Sequence, residues 1–373
     1  MSWNFKLPVE IEFGEGKAMQ ELGALLAARG FENGLLVSDP IFVQNGVADK
    51  IVAASGGRIA AIFSDLVPNP TVENIDTCAE LMRKGNYGFI ASLGGGSSLD
   101  CGKAASSLCK TQDSIREYMY GRKTFGAEHA PLVAIPTTAG TGSEVTMVAV
   151  VTDPETGSKL PVGTPNFYAS LAIIDPLLTL TIPPRVTASC GLDVISQALE
   201  GYWSRKHQPI CDACAISACE LVFRYLERAC KDGSDLEART GMCRASLLAG
   251  VAFAAPKTSA PHVCSYPLTS VYHVPHGEAC ALTLDSFLRL NADAEEGRLH
   301  LLARMIGKKD AYELADAIYA LKEHVGLRTH LSEAGVTAAD IPALVEGCHH
   351  ANMALNPVEV TDAFLTEMFE KLL

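Results

Sequence analysis

Several things are missing from this sequence. No apolar stretch reaches membrane-spanning length free of Gly, Pro and charge, so a transmembrane helix is not expected. The opening MSWNFKLPVE has no basic region followed by an apolar run, so a secretory signal is not expected either. Positive charge is in deficit, with 30 Lys and Arg against 43 Asp and Glu and a net charge of −13. A field of that sign does not gather a polyanion, so nucleic acid is not an expected partner. A local basic pocket for a small anion remains open. There is no internal repeat and no low-complexity segment. Cysteine is abundant, with twelve in the chain. Without a secretory signal, that number implies free thiols in a reducing cytoplasm. Cys211 and Cys214 are spaced as half of a zinc site, but no second pair of matching spacing follows, and the thiol reading is preferred.

At 373 residues the chain is too long for one ordinary core, and two domains are expected. The first half alternates short β-rich runs (33–40, 58–65, 87–96, 130–138, 171–176) with amphipathic runs (17–30, 71–85, 98–108). Continuous apolar strands separated by helices predict a mainly parallel sheet covered on both faces. VVTDPETGSKL, 150–160, reads as strand, turn and strand. After Pro184 the strand-like runs largely disappear and helical patterns dominate. The Pro183-Pro184 pair cannot continue a helix, which places a boundary there. The expected organisation is an α/β domain over 1–184 and an all-α domain over 185–373.

Two glycine-rich turns follow strands. LGGGSSLD, 93–100, opens a helix. Its glycines let the backbone approach a pyrophosphate, and the helix start offers free N–H groups. It is not the G-x-G-x-x-G fingerprint, so an ordinary Rossmann site is not predicted. PTTAGTGSEVT, 136–146, gathers the hydroxyls of Thr137, Thr138, Thr141 and Ser143 in one loop. Either turn alone is ordinary; two at the ends of neighbouring buried strands suggest a nucleotide site. Asp39 ends the first long strand and suits a ribose 2′-hydroxyl while repelling a 2′-phosphate, which favours NAD over NADP.

In the second half, GLDVISQALE puts Asp193 and Gln197 one helical turn apart on one face. A carboxylate followed by His at that spacing would read as half of a metal site; an amide is a poorer ligand. APHVCSYPLTSVYHVPHGEA, 260–279, collects His262, His273 and His276, three of the ten histidines. Imidazole is the commonest transition-metal ligand, although a single histidine is more often structural.

GGGSSLD, PTTAGTGSEVT, IIDPLLT, GLDVISQALEGYWS and HVPHGEACALTL occur in the order seen in iron-containing (group III) alcohol dehydrogenases, and the resemblance runs from about residue 10 to 370. It implies the dehydroquinate synthase-like fold: an α/β nucleotide-binding domain and a helical metal-binding domain, with the site in the cleft between them. It also implies an NAD(H)-dependent enzyme acting on a small aldehyde or alcohol, and a homodimer or larger homo-oligomer. The family holds a divalent metal, Fe²⁺ or Zn²⁺, on one Asp and three His. These positions fall on Asp193, Gln197, His262 and His276, so one imidazole is replaced by an amide. Where many members have a further His four residues after His262, this chain has Tyr266; His273 is the candidate to take over its proton-relaying part. The nucleotide positions fall on Asp39, Gly95, Gly96, Ser97, Asp100, Thr137, Thr138, Thr141 and Leu178, and Lys159 matches a lysine near the nicotinamide. The expected catalytic residues are Lys159, His262 and His273.

The wording around 257–284 resembles the branch that reduces phosphonoacetaldehyde or sulfoacetaldehyde. That branch needs an anion pocket, for which Lys159, Lys257 and Arg205 are candidates. Two alternatives stand beside this reading. One is a non-redox lyase of the dehydroquinate synthase kind. The other is a catalytically decayed NAD-binding scaffold.

Overall fold

In the computed structural model, which describes residues 3–373, the chain divides into two compact units. The first comprises Lys6–Thr138 and Ser143–Thr179; the second comprises Leu180–Leu373, Ala139–Gly142 and residues 3–5.

The first unit is built on six parallel strands: β1 (Glu10–Phe13), β2 (Gly34–Ser38), β3 (Ile59–Phe63), β4 (Phe89–Gly94), β5 (Leu132–Pro136) and, later in the chain, residues Leu171–Ile174. Between the last two comes an antiparallel hairpin of β6 (Val148–Asp153) and β7 (Ser158–Gly163), which makes Leu171–Ile174 strand β8. The sheet order is β1-β8-β5-β4-β2-β3.

The continuous apolar runs resolve into two faces. Leu36, Ala91, Leu93, Val133 and Ile135 pack on one side with Leu22, Leu26 and Ile51. These belong to α1 (Leu22–Ala28) and α3 (Val47–Ala54), which flank the short α2 (Pro40–Gln44). Leu35, Val37, Ile90, Leu132 and Ala134 pack on the other side with Ile75, Cys78, Leu99 and Ala104. Those come from α4 (Val72–Lys84) and α5 (Gly96–Leu108), with the short α6 (Ile115–Met119) after them. Side chains that alternate across a sheet apolar on both faces give this unbroken apolar reading.

Edge strand β1 and the pair α2–α3 were not legible in the sequence. β1 is four residues with two exposed or half-exposed glutamates, too short and too polar to stand out. The amphipathic run at 17–30 opens on a π-turn, Lys17–Glu21. Asp175, the acidic residue of IIDP, fixes that turn: its two oxygens accept from the Gly16 and Ala18 amides, both at 3.0 Å.

The second unit is helical. Its long members are α7 (Pro184–Trp203), α8 (Pro209–Lys231), α9 (Leu236–Ala254), α10 (Ala260–Val271), α11 (His276–Asn291) and α13 (Ala311–His324). Shorter ones are α12 (Arg298–Met305), α14 (Ile341–Gly347) and α15 (Asp362–Lys371). α7 is buried along nearly its whole length, as a central helix must be when its neighbours cover every side. Pro184 occupies its first turn, where the missing N–H costs nothing. The twelve cysteines are all free thiols. Among the described residues no helix is long and apolar enough to cross a membrane.

Candidate active site

In the α/β unit, β4 runs into the glycine turn and α5 begins at Gly96. Gly95 is its N-cap and no side chain caps the helix. The first N–H groups of α5 are therefore available to an anion. Close packing explains the first of the glycines: a Cβ on Gly94 would lie 2.4 Å from both Asp39 Oδ2 and Ser98 Oγ. Asp39 Oδ2 accepts from the Gly95 amide at 3.3 Å. Burial pushes the Asp39 carboxyl up from its ordinary range, against the pull of Ser98 and Gly95. Ser97 Oγ accepts from the Asn69 amide at 3.0 Å, and Lys159 Nζ donates to Asn69 Oδ1 at 2.8 Å. The Thr137 amide donates to Gly94 O at 3.0 Å, and Thr138 lies in ordinary contact range of Gly95. The structure thus gathers Asp39, Gly95, Gly96, Ser97, Thr137 and Thr138, and links Lys159 to them through Asn69.

The three remaining expected nucleotide residues make other contacts. Leu178 packs in the core with Leu36, Leu93 and Ile135. Thr141 belongs to the helical unit, where its carbonyl accepts from Gln197. Asp100 is a brace: its oxygens accept from Ser143 Oγ and the Val150 amide, both at 2.9 Å. Beside it, the fully buried Lys103 donates to Ser143 Oγ at 2.6 Å, Thr146 Oγ1 at 3.0 Å and Val148 O at 2.8 Å. Burial lowers the Lys103 ammonium to about 8, against the pull of Asp100 and Glu144.

In the helical unit, Asp193 on α7, His262 on α10 and His276 on α11 converge. Asp193 Oδ1 is 3.4 Å from His262 Nε2 and 3.9 Å from His276 Nε2. Cys280, one turn after His276, joins them, and one ligating atom from each of the four lies within 4.8 Å of the others. The close approach of α11 to α7 depends on Gly277, whose added Cβ would sit 2.0 Å from Ser189 O and 2.8 Å from Asp193 Cβ.

Glu200, two turns after Asp193, sets the His262 ring. It accepts from His262 Nδ1, which aims Nε2 toward Asp193. Its other oxygen accepts from the Ser259 amide at 2.6 Å and the His262 amide at 3.4 Å, at the start of α10. A carboxylate behind a ligating imidazole fixes its tautomer and raises its basicity. Gln197 Nε2 donates to Asp193 Oδ2 at 2.9 Å and faces Thr141 O at 3.4 Å.

Burial disfavours the cation on His262, but Cys280, Glu200 and Asp193 outweigh it and hold the imidazolium well above its ordinary value. His276 is also raised, with Cys280 and Asp193 overcoming burial. Burial pushes the Cys280 thiol up, yet the two imidazoles leave it below its ordinary value. Two buried oxygens, Asp193 Oδ1 and Gln197 Oε1, have no hydrogen-bond partner among the described residues. Orphaned buried acceptors beside two imidazoles and a thiol are what a bound cation would satisfy, so the residues present fit a divalent ion.

His273 lies in the exposed turn between α10 and α11, with φ +55°, and is not part of this cluster. Tyr266 packs its ring edge-on to His350, 5.4 Å between centroids. Arg205 gives Nε and an Nη to the carbonyls of Asn356 and Pro357, at 2.8 and 2.9 Å, which makes it a brace of that loop. Lys257 is exposed at the end of α9 with φ +65°. Cys211 is buried and donates to Val251 O, away from the cluster.

Sequence reasoning missed Cys280 and Glu200. The signals were present: Cys280 stands four residues after His276, and Glu200 closes the stretch that carries Asp193 and Gln197.

Sequence comparison agrees with this architecture. Residues 8–176 match the iron-containing alcohol dehydrogenase family, and residues 187–373 match the C-terminal part of the Fe-containing alcohol dehydrogenase family. The chain belongs to that family. It is 48% identical to a sulfoacetaldehyde reductase from Bifidobacterium kashiwanohense, crystallised with NAD+; the match covers 100% of this chain and 99% of that one, with a TM-score of 0.97. It is 37% identical to a choline dehydrogenase of Bacillus subtilis (strain 168), over 89% of this chain and 85% of that protein. It is 33% identical to a 1,3-propanediol dehydrogenase of Citrobacter freundii, over 97% and 96%.

Proposed function

We propose that this chain is an NAD(H)-dependent reductase of small aldehydes, reversible toward the alcohol, whose preferred substrate is an anionic aldehyde of the sulfoacetaldehyde type. The observation that carries the reading is the 48% identity, over the whole chain, to a sulfoacetaldehyde reductase crystallised with NAD+. In this reading the α/β unit is the nucleotide domain and the helical unit the metal and substrate domain, divided between Thr179 and Leu180 rather than after residue 184, with Ala139–Gly142 on the helical side.

Bound NAD(H) supplies the hydride, and that chemistry is the cofactor's own. The chain's part is to hold it. The uncapped start of α5 takes the pyrophosphate, with Gly95, Gly96 and Ser97 allowing close approach. Asp39 accepts from the ribose hydroxyls and disfavours a 2′-phosphate. Thr137 and Thr138 line the neighbouring strand end. In the helical unit Asp193, His262 and His276 would hold a divalent ion, with the Gln197 amide bracing Asp193. Such an ion supplies Lewis acidity toward a carbonyl oxygen. Glu200 keeps His262 Nε2 aimed, and Gln197 Nε2 restrains Asp193 Oδ2 so that Oδ1 faces the imidazoles. Lys159 and the exposed His273 are the candidates for proton delivery to the product oxygen, and Lys159 or Lys257 for pairing with the substrate's anionic group.

The test is NADH oxidation by anaerobically purified protein with sulfoacetaldehyde, phosphonoacetaldehyde, propanal and lactaldehyde, and NAD+ reduction with choline. Sulfoacetaldehyde is expected to exceed propanal in kcat/KM by at least about 10-fold, the worth of one charge-assisted hydrogen bond. Equal turnover of charged and neutral aldehydes would remove the anion preference and leave the reductase. Turnover of choline alone would overturn both.

A further inference from the structure

We propose that Cys280 is a protein ligand of the metal centre, the fourth beside Asp193, His262 and His276, and that its thiolate makes the site prefer zinc to iron. This rests on the metal reading above and deepens it. The replacement of one family imidazole by Gln197 leaves two imidazoles and one carboxylate as the strong donors. By itself that set is the kind found with non-haem iron(II), which keeps open positions. A thiolate changes the balance: sulfur is a soft donor that suits zinc, and one sulfur, two nitrogens and one oxygen form a familiar tetrahedral zinc shell.

The placement fits that shell. His276 and Cys280 are four residues apart on α11, so both leave the same face, one turn apart. Cys280 Sγ is 3.9 Å from His276 Nε2. A tetrahedral ion with bonds of about 2.0–2.3 Å sets its ligand atoms about 3.3–3.7 Å apart. The separations of 3.4 Å and 3.9 Å to Asp193, and the outer limit of 4.8 Å across the group, need a contraction of roughly 1 Å or less to meet it. Gly277 removes the steric bar to that approach. The thiol is fully buried, and a small apolar filler at this position would be alanine, as at the neighbouring Ala279 and Ala281. On metal binding the thiol proton leaves to solvent.

Cobalt(II) and zinc(II) are the probes. Cobalt-loaded protein is expected to show an intense sulfur-to-cobalt charge-transfer band in the near ultraviolet. Cys280→Ser is expected to lose that band and to weaken zinc binding by more than about 100-fold, the upper end of what losing a mere outer partner costs. It should also take up relatively more iron than the wild type from medium supplying both metals. Cys280→Ala is the second variant if serine does not fold, checked by circular dichroism. Cys214→Ser, on α8, should keep the band. His262→Ala should lose the metal altogether. A cobalt protein without the band, or a band that survives in both Cys280 variants, overturns the thiolate while leaving the metal centre standing. A wild-type protein that takes up neither ion overturns the metal reading and this proposal with it.

Discussion

In the α/β unit the atoms offered to a ligand are largely backbone: the N–H groups at the uncapped start of α5 and the glycine turn before it. In the helical unit they are side-chain atoms from three helices, two of them held by another side chain. Glu200 holds His262, Gln197 holds Asp193, and Gly277 lets α11 approach α7. A backbone site is fixed once the strand and helix form. A side-chain site needs every supporting contact, so its tolerance of change is smaller and its metal preference can drift by single substitutions.

Four substitutions separate these two modes of construction. The largest effect is expected from Lys103→Met in the α/β unit. It removes a buried cation that serves three acceptors and faces Asp100, and breaking such a pair costs about 3–5 kcal/mol. The pH dependence has a definite sign. Lys103 titrates near 8 in the folded chain against an ordinary 10.5. Between these values the unfolded chain holds a proton that the folded chain has lost. Its contribution to stability therefore rises with pH across that window, and below pH 8 the cost of the buried charge is present in full. Urea unfolding of both proteins at pH 7.5 and pH 10 checks this; a wild-type change matching the variant's would remove the buried-charge account.

Next comes a matched pair of glycines. Gly277→Ala drives a Cβ to within 2.0 Å of a backbone oxygen, for about 1–3 kcal/mol of destabilisation or more, and should lower metal content while sparing nucleotide affinity. Gly95→Ala meets only ordinary contacts at 3.5 Å. It should leave the melting temperature nearly unchanged and weaken NAD+ binding. Calorimetric melting with metal and nucleotide titrations reads both. Loss of nucleotide affinity in the first variant, or of metal in the second, would break the division.

The smallest effect is expected from Glu200→Gln. It should cost about 10–100-fold in metal affinity with nucleotide binding unchanged. An unaltered affinity would reduce Glu200 to a cap for α10.

What the sequence made legible follows from how local each feature is. The glycine turn and Asp39 could be read because a strand, a turn and a helix start lie within a few residues. The hairpin at 148–163 was readable for the same reason. The cluster around Asp193 was not local: Glu200 and His262 stand 62 residues apart. Asp193 and the clustered histidines could be picked out by spacing and were joined into one ligand set only by family resemblance, while Cys280 and Glu200, though inside the motifs that carry that resemblance, were passed over. Asp100 adds a contact of the same non-local kind: its oxygens accept from Ser143 Oγ and the Val150 amide, a pairing across more than forty residues that no local pattern reveals.

The four residues Ala139–Gly142 sit among the helices although they lie in the sequence between β5 and β6. Gly140 packs against Cys190, Gly142 against Gly250, and Thr141 O receives Gln197 Nε2. As the chain leaves the ribosome, this segment emerges well before the helices it supports. The helical unit is thus a discontinuous folding unit, with an early fragment waiting for later partners. Dividing the chain at residue 179 would separate α7 from the loop that steadies Gln197, and loop entropy would oppose its return. The two halves are consequently poor candidates for independent expression or domain exchange.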